Sequence, residues 1–119
     1  MKLALAQLAI ESGDVSGNVA RARDAIADSA AAGADLVALP EVFNVGYFAF
    51  DSYGRKAESL AGPTLAEISA TAREHDVAVL AGSIVEDLGA TAEETDVSVP
   101  ATEGLANTSV FVDRDGERR

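Results

Sequence analysis

The chain has 119 residues, 48% of them hydrophobic, enough for one core or part of one and too few for two. Twenty acidic residues against nine basic ones give a formal net charge of -11, which opposes contact with nucleic-acid phosphates or an anionic membrane. Cysteine is absent, which excludes disulfides, thiolate metal sites and a cysteine nucleophile within these residues.

No apolar run approaches the roughly 20 residues that span a bilayer, and Met1-Lys2 leads into an alternating segment rather than a signal peptide. A soluble cytoplasmic protein is expected. Lys2 and Lys56 are the only lysines, and an acidic, lysine-poor surface suits solubility in high salt, so a halophilic source is expected as well.

Residues 2–8 (KLALAQL) set Leu3, Leu5 and Gln7 on one side and Ala4, Ala6 and Leu8 on the other, predicting a strand covered on both faces. Gly13-Asp14 breaks the chain. From about Ser16, Val19, Ala22, Ile26 and Ala30 fall at helical spacing, and Gly33 is a natural stop. Residues 35–39 (DLVAL) predict a second strand, ended by Pro40, which cannot donate to a ladder. The order strand, helix, strand implies parallel neighbours joined by a crossover.

Pro63 opens a second helix carrying Leu65, Ile68 and Ala72 on one face and ending near His75. This histidine, the only one in the chain, cannot form a multi-histidine metal site; a helix-end structural role is expected. Residues 77–81 (VAVLA) predict a third buried strand. From Glu86 to Glu103 the pattern becomes small, polar and acidic, with six carboxylates and no basic partner. An acidic loop over about residues 87–103 is predicted, a salt-adapted insertion rather than a cation site, because no ligand spacing of the EF-hand kind occurs.

Residues 107–113 (NTSVFVD) regain strand character, and Asp113-Arg114-Asp115-Gly116 predicts a hairpin turn. Three residues then remain, fewer than the usual five or six of a strand, so the sequence reads as cut within a hairpin. The class is α/β.

Glu41 follows the second strand and Pro40, which places it at the carboxyl end of a strand, where open α/β sheets bind ligands. Taken alone, a loop glutamate is a solvated charge. Here Val42, Phe43, Val45, Tyr47, Phe48 and Phe50 crowd the same stretch, and such walls desolvate a carboxylate and favour proton acceptance near neutral pH. Ordinary core packing is the other reading of those aromatics.

Five segments then carry a resemblance. LALAQL, GDVSGN, AGADLVALPEVFNVGY, AGPTLAEISATAREHDVAVLAGS and NTSVFVDRDGE follow the order and spacing of the first part of the nitrilase superfamily of carbon–nitrogen hydrolases. The chain resembles that family over nearly its whole length, apart from the acidic stretch. The resemblance implies that residues 1–119 are the N-terminal portion of a single α-β-β-α sandwich domain, incomplete at the C-terminus. Such enzymes often pair into homo-oligomers and hydrolyse small-molecule amides, nitriles or carbamoyl compounds without metal or organic cofactor.

The family uses a cysteine nucleophile, a glutamate general base and a lysine that stabilises the tetrahedral intermediate. Glu41, in LPE, matches the base, accepting the thiol proton and later donating it to leaving ammonia or amine. The lysine belongs on the strand after the hairpin and the cysteine further on, so neither maps here, and Lys56 reads as a surface charge. Tyr47 matches an aromatic near the family's substrate pocket, with packing at the sheet edge as the other reading. Two other functions compete with a truncated hydrolase: a non-catalytic α/β binding or assembly module, and one half of a split enzyme.

Overall fold

The computed structural model describes residues 1–119. Strands β1 (Leu3–Leu5), β2 (Leu36–Ala38), β3 (Ala78–Asp87) and β4 (Leu105–Val112) form one sheet in the order β1-β2-β3-β4. The first three are parallel, and β4 returns antiparallel to β3. Helices α1 (Val15–Ala31) and α3 (Pro63–Glu74) are the main crossovers; α2 (Tyr53–Lys56) and α4 (Leu88–Glu94) are short. No helix is long and apolar enough to cross a membrane.

The core is the seam between the long helices and one sheet face. Val19, Ala22 and Ile26 of α1 and Leu65, Ile68 and Ala72 of α3 meet Val37, Val79, Val110 and Val112. Each large side chain buried in this way contributes ~1.5–3 kcal/mol, so the seam fixes how both helices lie on the sheet.

Local chemistry sets the helix ends. Asp14 caps α1 by accepting from the Gly17 amide at 3.2 Å. At α3 the cap residue Gly62 has no side chain, and Glu58 takes its place. One carboxylate oxygen accepts from the Thr64 amide at 2.7 Å and the other from the Thr64 hydroxyl at 2.5 Å. His75 closes α3 as its C-cap, its amide donating to the Thr71 carbonyl at 3.1 Å.

The sequence expectations need correction in four places. β1 pairs over Leu3–Leu5 rather than residues 2–8, with one further bond from the Ala6 amide to the Ala38 carbonyl. It is covered on one face only: Ala4 and Ala6 pack on the core, while Leu3 and Leu5 are 53% and 77% exposed. Alternation reveals which residues share a face but not whether a second layer lies over it.

β3 does not end at Ala81 but continues through Asp87 past Gly82 and Ser83, whose small size hid the strand. The acidic stretch is not one solvated loop. Glu86 is buried within β3 and accepts from the Thr108 hydroxyl at 2.6 Å. α4 follows, capped by Asp87 through the Ala90 amide at 3.0 Å, and only residues 95–104 lack regular structure. Helix α4 was concealed because one of its two buried positions is polar: Thr91 accepts from the Leu60 amide at 3.0 Å. A 3₁₀ turn at Phe50–Ser52 running into α2 was likewise not anticipated.

The predicted hairpin turn is present. Gly116 takes φ +84°, and the Asp113 carboxylate accepts from the amides of Asp115 and Glu117 at 2.9 and 3.0 Å. Beyond the turn, Val112 makes an isolated antiparallel bridge to Arg118.

Candidate active site

Glu41 stands just past the carboxyl end of β2, where the chain leaves the sheet. The Leu39 amide still pairs with the Leu80 carbonyl at 2.9 Å, and Pro40 then ends the ladder. β3 passes very close to this exit. A Cβ on Gly82 would lie 2.0 Å from the Pro40 oxygen and 2.3 Å from the Leu39 oxygen, so only glycine fits. The β3–β4 register shifts between Ala81 and Ile84, and this irregularity brings Ser83 under the loop, where its Oγ accepts from the Val42 amide at 2.9 Å.

Val42 has φ +48°, an unfavourable conformation for a β-branched residue. Strain of this kind costs roughly 1–3 kcal/mol and persists only where neighbours over-determine it. Several do. The Gly46 amide closes a turn onto the Val42 carbonyl at 2.8 Å, and the Gly13 amide donates to the Val45 carbonyl at 2.8 Å. Asn18, fully buried in α1, donates to the Asn44 carbonyl at 2.9 Å. The Tyr53 hydroxyl donates to the carbonyls of Gly46, at 3.3 Å, and Tyr47. Beneath the loop, Val42 and Val45 pack with Ala49 and Val85 in a small second core.

The Glu41 side chain is exposed, which corrects the expectation of a carboxylate walled off from water. Val42, Phe43 and Val45 face inward and are buried, whereas Tyr47, Phe48 and Phe50 remain largely in solvent. One Glu41 oxygen accepts from Asn107 Nδ2 on β4 at 2.7 Å.

Two cavities share Glu41 and Asn107. One, of about 300 Å³, is mainly apolar, walled by Val42, Tyr47, Phe50, Tyr53 and Leu105. The other, of about 330 Å³, is lined only by Glu41, Gly82, Ser83, Asn107 and Ser109. Glu41 thus sits on the divide between an apolar hollow and a polar one. Tyr53 titrates above its ordinary value, first because its surroundings are desolvated and then because Tyr47 and Glu41 lie near. Tyr47 lies in the apolar wall.

Lys56 is exposed and lines a different cavity, of about 570 Å³, between the starts of α1 and α3. That cavity lacks Glu41, and two of its four charged residues, Arg23 and Glu67, pair with each other at 3.4 Å. No cluster of histidine and carboxylate side chains is arranged to hold a metal. Ser83, Asn107, Tyr53 and Asn18 were not singled out from the sequence. Only Asn107 left a trace: it alternates with Ser109 and Phe111 on one strand face, polar where a covered face would be apolar.

Comparison with known proteins identifies the family. The sequence profile described as carbon-nitrogen hydrolase matches residues 2–118. An (R)-stereoselective amidase from a Pseudomonas species is 38% identical over 80 residues, a match covering 67% of this chain and 29% of that protein. An amidase from Nesterenkonia superposes over 100% of this chain and 40% of its own, with a TM-score of 0.77 and 22% identity, a likeness of fold. A Saccharomyces cerevisiae protein of branch 10 of the nitrilase superfamily aligns over 99% of this chain and 41% of its own, with a TM-score of 0.78 and 27% identity. The chain therefore spans less than half the length of these relatives, and it belongs to the carbon–nitrogen hydrolase family, the nitrilase superfamily.

Proposed function

We propose that the chain carries the general-base part of a hydrolase of non-peptide carbon–nitrogen bonds. Its substrate is a small-molecule amide, nitrile or carbamoyl compound, and the mechanism is Glu-Lys-Cys. Glu41 is the base, Tyr47 flanks the substrate, and the lysine and cysteine lie in polypeptide outside these 119 residues. The observation that carries this reading is the position of Glu41, on a strained and multiply anchored loop at the divide between an apolar and a polar cavity. Backbone strain of that kind concentrates at functional sites.

In this reading Glu41 takes the proton from a thiol, making the nucleophile that attacks the substrate carbon, and returns it to the leaving ammonia or amine. A lysine ammonium offsets the negative charge that develops in the tetrahedral intermediate. In a mutant of the Nesterenkonia amidase acrylamide has added to an active-site cysteine; this chain contains no cysteine, so in this reading its nucleophile comes from elsewhere. The complete enzyme is further proposed to work in the cytoplasm as a homo-oligomer, without cofactor and without nucleic-acid or membrane partners. The charge of -11 supports the exclusion of nucleic-acid and membrane partners.

The test is ammonia release from simple amides by protein that includes the following polypeptide, compared with its Glu41→Gln variant. Turnover in the parent and near-silence in the variant supports the reading. Undiminished turnover in the variant removes Glu41 from the mechanism.

A further inference from the structure

We infer that the apolar cavity beside Glu41 selects substrates in which a bulky apolar group, of the size of a benzene ring, adjoins the amide-type function. This inference rests on the reading of Glu41 as part of a hydrolytic site.

The chain has four phenylalanines, two tyrosines and no tryptophan, and four of those six rings lie within residues 47–53. They are not spent on the core: Tyr47, Phe48 and Phe50 are 54%, 78% and 66% exposed. Their rings form a continuous edge-to-face series, with centroids 5.0 Å apart from Tyr47 to Phe48, 6.1 Å from Phe48 to Phe50 and 5.6 Å from Phe50 to Tyr53. The Tyr53 hydroxyl ties the far end of that series back to the Gly46 and Tyr47 carbonyls, so the wall is set before a ligand arrives.

Tyr47, Phe50 and Tyr53 face the 300 Å³ cavity, whose only acidic or amide side chains are Glu41 and Asn107 at one side. A cavity of that size falls at the small end of ligand pockets and has room for a single aromatic ring. The polar cavity begins at the same two residues, and Ser83 and Ser109 line it. A molecule with an apolar ring next to a carbon–nitrogen group matches this division: ring against Phe50 and Tyr53, polar group across Glu41 and Asn107. A short aliphatic amide would satisfy the polar side and leave the aromatic wall wet.

Equilibrium dialysis of the 119-residue chain against phenylacetamide and propionamide tests the inference, and the readout does not depend on turnover or on the chain remaining monomeric. Phenylacetamide should bind roughly tenfold or more tightly, the gain expected from burying a ring. Phe50→Ala should lose more affinity for phenylacetamide than for propionamide, and Tyr47→Ala should act in the same direction. Both positions are exposed, and circular dichroism melts of the variants check that they fold. Equal affinity for the two amides overturns the selectivity while leaving the Glu41 site standing, whereas amide binding indifferent to Glu41→Ala sinks the site reading itself. Loss of self-association in Phe50→Ala without any change in affinity identifies the rings as a docking surface and overturns the inference.

Discussion

Asn107 donates from Nδ2 to a Glu41 carboxylate oxygen across 2.7 Å, joining residues 66 positions apart. Glu41 belongs to the exit of β2 and Asn107 to β4, an edge strand of the same sheet, so β3 lies between the two and sets their separation. A charge-assisted bond of this length orients the carboxylate and leaves its other oxygen free for a proton. In the complete enzyme Asn107→Ala should therefore lower kcat more than it raises KM. A variant with unchanged kcat shows that the bond does not position the base.

Glu41→Gln keeps the shape and the bond from Asn107 but cannot accept a thiol proton. In the complete enzyme turnover should fall by about 10²–10⁴-fold, the usual worth of a general base. Glu41 is exposed, so the melting temperature should hardly move, and kinetics with thermal melts on the same samples separate the two effects.

Gly82→Ala should destabilise the chain by about 1–3 kcal/mol or more, because the new methyl would overlap the Pro40 and Leu39 carbonyl oxygens. Ser83→Ala removes the acceptor for the buried Val42 amide and should cost ~1–3 kcal/mol through that orphaned donor. Urea unfolding measures both. A neutral Gly82→Ala would mean that the Pro40 exit can shift freely, contrary to the close approach seen here.

The C-terminal hairpin should depend on pH. The Arg119 guanidinium beside Asp113 holds its carboxyl below the usual carboxylate range, with backbone amides of Glu117 and Asp115 adding to the effect. A carboxyl lowered in the folded state contributes stability that is fully present above the unfolded value of about 3.9 and is lost as pH falls through the lower folded value. Hydrogen exchange at the Gly116 and Arg119 amides should accelerate over that acidic window relative to the core. In Asp113→Asn the acid-dependent part should vanish, and a persisting dependence assigns it to other groups.

The open sheet face carries Leu3, Leu5, Leu80 and Phe111, all exposed. Apolar surface of that kind drives association, so the 119-residue chain by itself should sediment as more than a monomer, and Leu5→Lys should shift it toward monomer. The same chain should release no ammonia from amides or nitriles above buffer, having no thiol to attack with. Measurable turnover by the purified chain would defeat the Glu-Lys-Cys proposal.

By itself the sequence determined the α/β class, the two long helices, the parallel order of the first strands and the place of Glu41 after Pro40. Those features follow from local periodicity and from punctuation by glycine and proline, which a linear reading captures. Only the tertiary structure decided what surrounds Glu41. The expected desolvating wall is split: Val42, Phe43 and Val45 turn inward while Tyr47 and Phe50 border an open cavity, and the division falls at Gly46, whose φ is +105°. Asn107, Ser83 and Asn18 converge on the loop from β4, β3 and α1; Asn107 is marked only by the polar face of its strand, and nothing in the neighbourhoods of Ser83 and Asn18 marks them. α4 escaped notice for a related reason, since buried Thr91 is matched to a partner, Leu60, far away in sequence. Hydrophobic burial leaves a period in the chain, whereas a polar contact depends on one partner at one distance, and that partner is chosen by packing.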